Sequence, residues 1–188
     1  MTRKTIVALK AQADATIEDN TTGLISAADV RSLFKDFMDT MTPGFGAVGR
    51  ATQTLINLGL PLQVVTYDTE NVTADFSANL PAGEVTRNAL GLPTVNNRVT
   101  FYAGVEGPAG NEIVFTLHRD GVSVPGGVTV SCQGLGNPVQ GTFSIINGTP
   151  IAGDPVYKVM ASKITGAAAN VNLIEVRLIL EVVPTIGV

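Results

Sequence analysis

Apolar residues recur at helical spacing in one segment near the start of the chain. Their positions are separated by three, one, three, one and three residues, and charged side chains occupy the other side. Ser26 is a suitable N-cap with Asp29 in the first turn, and Pro43-Gly44 ends the pattern. The segment is therefore predicted to be one amphipathic helix, and its apolar stripe consists of Val30, Leu33, Phe34, Phe37, Met38 and Met41.

This predicted stripe needs a partner. A helix of about thirteen residues is only marginally stable alone in water, so its apolar side must be covered by other polypeptide. We predict that the six residues form a partner-binding surface for attachment or trimerisation. Residues 4–17, which precede the helix, fit either a second short helix or an extended arm.

After about residue 53 the pattern changes to short apolar runs with period two, separated by Gly, Pro and Asn. Asp120-Gly121 lies between two runs and predicts a tight hairpin. In the last run, Ile174, Val176, Leu178, Leu180 and Val182 are expected to share one face. The predicted strands are Thr54–Leu58, Leu62–Asp68, Val72–Ser77, Arg98–Val105, Ile113–Arg119, Val128–Gln133, Thr142–Ile146, Val156–Ile164 and Val171–Val183.

These runs predict a mainly β fold, an antiparallel β-sandwich of the jelly-roll type, preceded by a short α-helical attachment region. The glycine-rich segment 43–49 is interpreted as a flexible joint between the two parts. The predicted organisation is an arm and helix over residues 1–50 and a β-sandwich domain over residues 51–188.

The chain carries few charges for a soluble protein. Charged residues make up 15% of the 188 residues and apolar residues 45%, whereas about 25% charged is usual. No run is long enough to span a membrane, and the N-terminus lacks the features of a signal peptide. Neither half of the chain is basic, so nucleic-acid binding is not expected. Much of the surface is expected to be hidden in an assembly.

Residues able to carry chemistry are sparse. Cys132 and His118 are the only residues of their kinds, so no nucleophile and base can be assembled with an orienting group. Gly44 to Gly49 match a dinucleotide-binding fingerprint, but a helix precedes them where a strand is required. Three carboxylates, Asp68, Glu70 and Asp75, fit a solvated loop better than a cation site. No catalytic, cofactor or metal site is predicted.

Two segments resemble known proteins. Residues 17–40, with Asn20-Thr-Thr-Gly-Leu-Ile-Ser-Ala-Ala-Asp-Val-Arg31, resemble the N-terminal attachment region of tailed-bacteriophage fibre, spike and head-decoration proteins. Phe115-Thr-Leu-His-Arg-Asp-Gly-Val122 is similar to a hairpin of phage jelly-roll domains related to the tumour-necrosis-factor and complement-C1q type, with His118 where Tyr is frequent.

The resemblance implies a non-enzymatic structural component of a phage virion. Its partners would be two further copies in a homotrimer and the major capsid protein or other virion proteins, with no nucleic acid or membrane. It would decorate or cement the capsid as a head-fibre protein, after assembly in the cytoplasm of the bacterial host. The alternative is a tail-associated fibre or adhesin that binds host-surface carbohydrate. The absence of Trp and the three Tyr residues favour the first interpretation.

Overall fold

The structure is a computed structural model that describes residues 30, 33, 34, 44–55, 62–73, 75–88, 96–147, 154–166 and 169–183. These residues form eleven strands and one 3-10 turn at Leu80–Ala82. No helix among them is long and apolar enough to cross a membrane. The strands are β1 (Phe45–Leu55), β2 (Gln63–Val64), β3 (Thr69–Val72), β4 (Phe76–Asn79), β5 (Glu84–Arg87), β6 (Asn96–Glu106), β7 (Glu112–Arg119), β8 (Val122–Ser131), β9 (Val139–Asn147), β10 (Val156–Thr165) and β11 (Val171–Val183).

The strands form two antiparallel sheets. The first sheet has the order β3-β1-β11-β6-β9 and the second has the order β4-β5-β10-β7-β8, with β2 paired to β10. Strands that are neighbours in a sheet are mostly distant in sequence, as in a jelly roll. The predicted antiparallel β-sandwich is confirmed.

The core lies between the sheets and is built from alternate residues of the long strands. At its centre the Phe101 ring lies 5.1 Å from that of Phe115 and 5.3 Å from that of Phe143. Phe101 and Phe115 are fully buried, and Tyr157 crosses from the second sheet to accept a hydrogen bond from Asn97 Nδ2 at 3.0 Å. Because side chains alternate along a strand, burial of these residues leaves their chain neighbours on the outer faces.

Strand β11 begins and ends where predicted, but its faces differ from the prediction in one place. Val176, Leu178, Leu180 and Val182 are buried on the inner face as expected. Ile174 is on the outer face, because a bulge shifts the register to β6 between Ile174 and Arg177. Glu175 at the bulge has a φ of 51°. The prediction that Ile174 shares a face with these four residues is therefore wrong.

The flexible joint predicted over residues 43–49 is also wrong. From Phe45 the chain is in β1, which pairs with β11 along its whole length. Glycine is required on the inner side of this strand: a Cβ on Gly46 would lie 2.9 Å from the Phe76 ring. The sandwich thus begins at Phe45, five residues before the predicted division at residue 50. The division of the chain into two domains stays a prediction.

Other strand bounds were predicted less well. The predicted strand Val72–Ser77 is two strands, β3 and β4, and β5 was not predicted. Within Leu62–Asp68 only Gln63–Val64 is a strand. The hairpin at Asp120-Gly121 is confirmed, and both residues have the positive φ, 52° and 80°, of a tight turn.

Tyr67 is buried in the core, and its hydroxyl has no hydrogen-bond partner among the described residues. Burial raises the pKa of this phenol well above its ordinary value of 10. Below pH 10 the phenol is neutral in both the folded and the unfolded protein, and above pH 10 its ionisation in the unfolded chain alone lowers the stability of the fold.

We expect Tyr67→Phe to stabilise the protein by about 1 kcal/mol at pH 7, because it removes a desolvated hydroxyl. The gain should grow above pH 10, where the unfolded wild-type chain can ionise this residue and the variant cannot. Urea unfolding of both proteins at pH 7 and pH 10.5 measures the two differences. An equal or lower stability of the variant at pH 10.5 would refute the expectation.

Candidate functional site

Half of the predicted helical stripe lies outside the described residues. Val30, Leu33 and Phe34 have helical backbone, and Phe34 is 67% exposed. Phe37, Met38 and Met41 lie outside the described residues. The role of the six residues in partner binding therefore stays a prediction, and the described part of the sandwich supplies two further candidate surfaces.

One long side of the sandwich is closed by backbone hydrogen bonds. The segment between β2 and β3 bridges the sheets there: Val65 N–H donates to Val159 O at 3.0 Å, and Asp68 N–H donates to Gly49 O at 2.9 Å. Gln53 holds the same segment by accepting from Thr66 N–H at 2.9 Å. On this side the connecting segment is therefore hydrogen-bonded to both sheets of the domain.

The opposite side, between β8 and β9, is packed through side chains and leaves apolar groups partly exposed. Glycines allow the two strands to approach: a Cβ on Gly141 would lie 2.6 Å from Val130 Cγ2, and one on Gly126 would lie 3.5 Å from Ile145. We call this the β8–β9 side. Its partly exposed apolar residues are Val124, Val128, Val139 and Ile145.

Strand β9 makes this side unusual among the sheet edges. It is nine residues long, contains no proline or charged residue, and pairs with β6 without a register shift. Edge strands are normally short, or carry charged residues, proline or a bulge, because these features discourage pairing with a strand of another molecule. The other edges have them, since β3 and β4 are only four residues long and β8 contains Pro125.

The second candidate surface is the outer face of the first sheet. Ile179 lies at its centre on β11, between Ala47 of β1 and Thr100 of β6. Arg98 and Glu181 also lie on this face, with Arg98 Nη1 3.7 Å from Glu181 Oε2. The apolar residues of this face are Phe45, Ala47, Tyr102, Ile146, Ile174 and Ile179, of which Ile146 is 53% exposed and the others are half-buried.

The candidate chemical residues are placed apart from one another. His118 faces outward on β7, opposite Lys158 of β10. Cys132 is buried directly after β8, and burial raises the pKa of its thiol. Asp68 and Glu70 are exposed, whereas Asp75 is buried, so the three carboxylates do not share a solvated loop. Among the described residues no three His, Cys, Asp or Glu side chains converge as metal ligands would.

Comparison with known proteins supports the fold. No protein-family model matches the sequence, and no curated protein matches it. Murine APRIL superposes with a TM-score of 0.51 and 8% identity, over 76% of this chain and 100% of its own. This likeness confirms a jelly roll and, at this identity, shows the fold alone.

Two further solved structures are similar to this chain. The globular domain of zebrafish complement 1qA covers 77% of it and 98% of its own length, with a TM-score of 0.44 and 13% identity. Eiger TNF from S. frugiperda covers 78% and 97%, with a TM-score of 0.43 and 11% identity.

Sequence reasoning did not find the two surfaces of the sandwich. The uncharged run of β9 was a usable signal, because an edge strand without charge or proline is rarely left open. The outer face of the first sheet gave no signal along the chain, since its members come from β1, β6, β9 and β11 and meet only after folding.

Proposed function

We propose that this chain is a non-enzymatic structural component of a bacteriophage virion. It forms a homotrimer that decorates or cements the capsid, located on the particle after assembly in the host cytoplasm. The N-terminal arm and helix attach it to the major capsid protein or another virion protein, and the jelly roll projects outward. The observation that carries the self-assembly is the pair of incompletely buried apolar surfaces on different sides of one sandwich.

Two different surfaces on one molecule favour a closed ring. We infer that the β8–β9 side of one copy packs against the outer face of the first sheet of the next copy. Such a head-to-tail contact must either close into a ring or continue as a filament. Three copies are the number implied by the resemblance to phage jelly-roll domains.

The Arg98–Glu181 ion pair on the outer face is compatible with this contact. Arg98 and Glu181 already neutralise each other, and β9, which would approach them, contributes no charge. The contact therefore leaves no unpaired charge of β9 to bury, which would cost several kcal/mol. The partly exposed apolar side chains of both surfaces would be covered together.

The location on the virion is tested by labelling intact particles. Antibody raised against the sandwich and coupled to gold is expected to mark the heads of purified virions. Label confined to the tail would favour the fibre or adhesin alternative, and particles without label would overturn the virion assignment.

The helical stripe provides a separate prediction. We expect Phe34→Asp combined with Phe37→Asp to abolish attachment to the particle, because two charges would replace the apolar side chains that dock. The sandwich should fold unchanged, as measured by its β-sheet circular dichroism. Lys35→Gln with Asp36→Asn, on the charged side of the same segment, is the matched control and should attach normally. Loss of the β-sheet signal in the double aspartate variant would instead place the stripe in the core of the sandwich.

A further inference from the structure

The free edge of β9 presents main-chain hydrogen-bonding groups. On its other side β9 pairs with β6 over Val139–Asn147, and its backbone makes no hydrogen bond to any other part of the chain that the structure describes. In an antiparallel strand, alternate residues direct both the N–H and the C=O away from the paired neighbour. About half of the nine residues of β9 therefore point a donor and an acceptor toward whatever covers this edge.

These main-chain groups restrict what can cover β9. Water satisfies them in a single copy, but the proposed contact replaces that water with the outer face of the first sheet of the next copy. A buried N–H or C=O that loses water without gaining a partner is destabilising. The main chain within a sheet is already paired to its neighbouring strands, so the partners on that face must be side chains.

Arg177 is a side-chain donor near the centre of that face. It lies on β11 between Gly49 of β1 and Tyr102 of β6, two residues along the strand from Ile179. Gly49 has no side chain that could cover it, and a Cβ there would lie 4.0 Å from Arg177 Cγ. Arg177 is exposed, and its guanidinium makes no hydrogen bond to a described residue. The five N–H groups of the guanidinium are therefore able to bind an acceptor on a partner.

The charge of Arg177 is not neutralised by the described part of its own copy. Glu181 on the same strand lies 3.7 Å from Arg98 instead. Neither Glu175 at the bulge nor Glu106 at the end of β6 forms an ion pair with Arg177. Covering this guanidinium among half-buried apolar side chains would be destabilising unless the covering molecule supplies acceptors.

Tyr102 adds a hydroxyl directly beside the guanidinium. It is half-buried and is the cross-strand neighbour of Arg177, and its hydroxyl has no hydrogen-bond partner among the described residues. A hydroxyl can accept from an N–H, which a guanidinium cannot do. The two neighbours can therefore bind both kinds of main-chain group that an edge strand presents.

The surface proposed to cover Arg177 has only neutral acceptors. Neither β8 nor β9 contains Asp, Glu, Lys or Arg, so its oxygen atoms belong to main-chain carbonyls and to hydroxyl and amide side chains. A guanidinium binds such oxygens through charge-assisted hydrogen bonds, which are stronger than those between neutral groups. The donors of one surface and the acceptors of the other are therefore complementary, and this favours a second copy as the covering molecule.

We propose that the Arg177 guanidinium of one copy donates to free carbonyl oxygens of β9 in the next copy, and that the Tyr102 hydroxyl accepts from a free N–H of the same strand. This inference rests on the proposed function, because it names the polar groups of the head-to-tail contact. Arg177 is then a specificity-determining residue of the assembly. Its planar fork recognises the edge of a strand, whereas the surrounding apolar side chains would accept any apolar surface.

The first measurement is the concentration at which the proposed trimer of the 188-residue protein dissociates, followed by sedimentation velocity in a dilution series. Arg177→Met keeps an unbranched apolar side chain without donors and is expected to raise this concentration at least about tenfold. Arg177→Lys keeps the charge without the fork and should lie between the two. Lys163→Met is the matched control: it removes a positive charge from β10, an interior strand of the second sheet, and should stay within about twofold of the wild type.

Hydrogen exchange along β9 measures the same contact from the other side. Its amides are expected to exchange more slowly in the wild-type trimer than in the monomer obtained by dilution. Tyr102→Phe keeps the ring and removes the hydroxyl, so part of that protection should be lost in the variant trimer. Circular dichroism checks that each variant keeps its β structure.

The outcomes separate this inference from the proposed function. Three results in a trimeric wild type would overturn the inference alone: unchanged dissociation of Arg177→Met, equal weakening by Lys163→Met, or equal exchange of β9 in trimer and monomer. An effect of Arg177→Met that vanishes in about 0.5 M NaCl would assign a carboxylate partner and would also overturn it. A wild type that is monomeric throughout would overturn both the inference and the proposed self-assembly.

Discussion

Replacing Ile179 with aspartate is expected to convert the proposed trimer into monomers that keep their β structure. Ile179 is half-buried at the centre of the outer face of the first sheet, where the next copy is proposed to pack. An unpaired charge buried in each contact costs about 3–5 kcal/mol. Since 1.4 kcal/mol is tenfold in an equilibrium constant, each contact should weaken by roughly two to four orders of magnitude.

The matched control is Val114→Asp. Val114 is also half-buried and faces outward from an interior strand, β7, but it belongs to the outer face of the second sheet. This variant should remain trimeric. Sedimentation velocity at micromolar concentration compares the two variants, and circular dichroism checks that each is folded. A trimeric Ile179→Asp, or dissociation of both variants, would show that the first sheet is not the contact.

Replacing Phe101 with alanine should have the largest effect on the stability of the sandwich itself. The ring is fully buried and lies against Phe115 and Phe143, at centroid distances of 5.1 and 5.3 Å. Truncation of a buried phenylalanine costs about 3–5 kcal/mol, from lost burial and from the cavity that remains. That is a large share of the 5–15 kcal/mol by which most domains are stable.

Tyr102→Ala is the control at the adjacent position. Tyr102 lies on the outer face of the first sheet, so its removal leaves the core intact and should alter assembly more than folding. Urea unfolding below the dissociation concentration of the trimer measures the stability of each variant. A loss under 1 kcal/mol for Phe101→Ala would mean that the aromatic centre does not support the fold.

The features that were predictable from the sequence are those with a strong period of two. Strand β11 has the predicted bounds, Val171–Val183, and the Asp120-Gly121 turn is where its residue types require it. The face of Ile174 was not predictable, because a bulge at Glu175 depends on how β11 pairs with β6 rather than on its own pattern.

Glycine accounts for a second error. Gly44, Gly46 and Gly49 looked like a joint, but Gly44, directly before β1, leaves space for the Asp75 side chain, and Gly46, within β1, leaves space for Phe76. Gly141 similarly lies within β9 because Val130 of the facing sheet occupies the space of a side chain. Such a glycine can be distinguished from a hinge only when the contacting strand is known.

The candidate site also has one part that could be predicted from the sequence and one part that could not. The stripe from Val30 to Met41 was predicted from local spacing alone and stays a prediction, since half of its residues lie outside the described ones. The β8–β9 side and the outer face of the first sheet are products of topology. Each surface joins strands that are separated along the chain. Neither surface could therefore be predicted before the pairing of β9 with β6 and of β11 with β1 was known.

The mass of the 188-residue protein by native mass spectrometry at micromolar concentration tests the central claim most directly. A particle of three times the 19.5 kDa chain mass is the expected result. A single species of 19.5 kDa would contradict self-assembly through these two surfaces, whatever particle the chain were later found on.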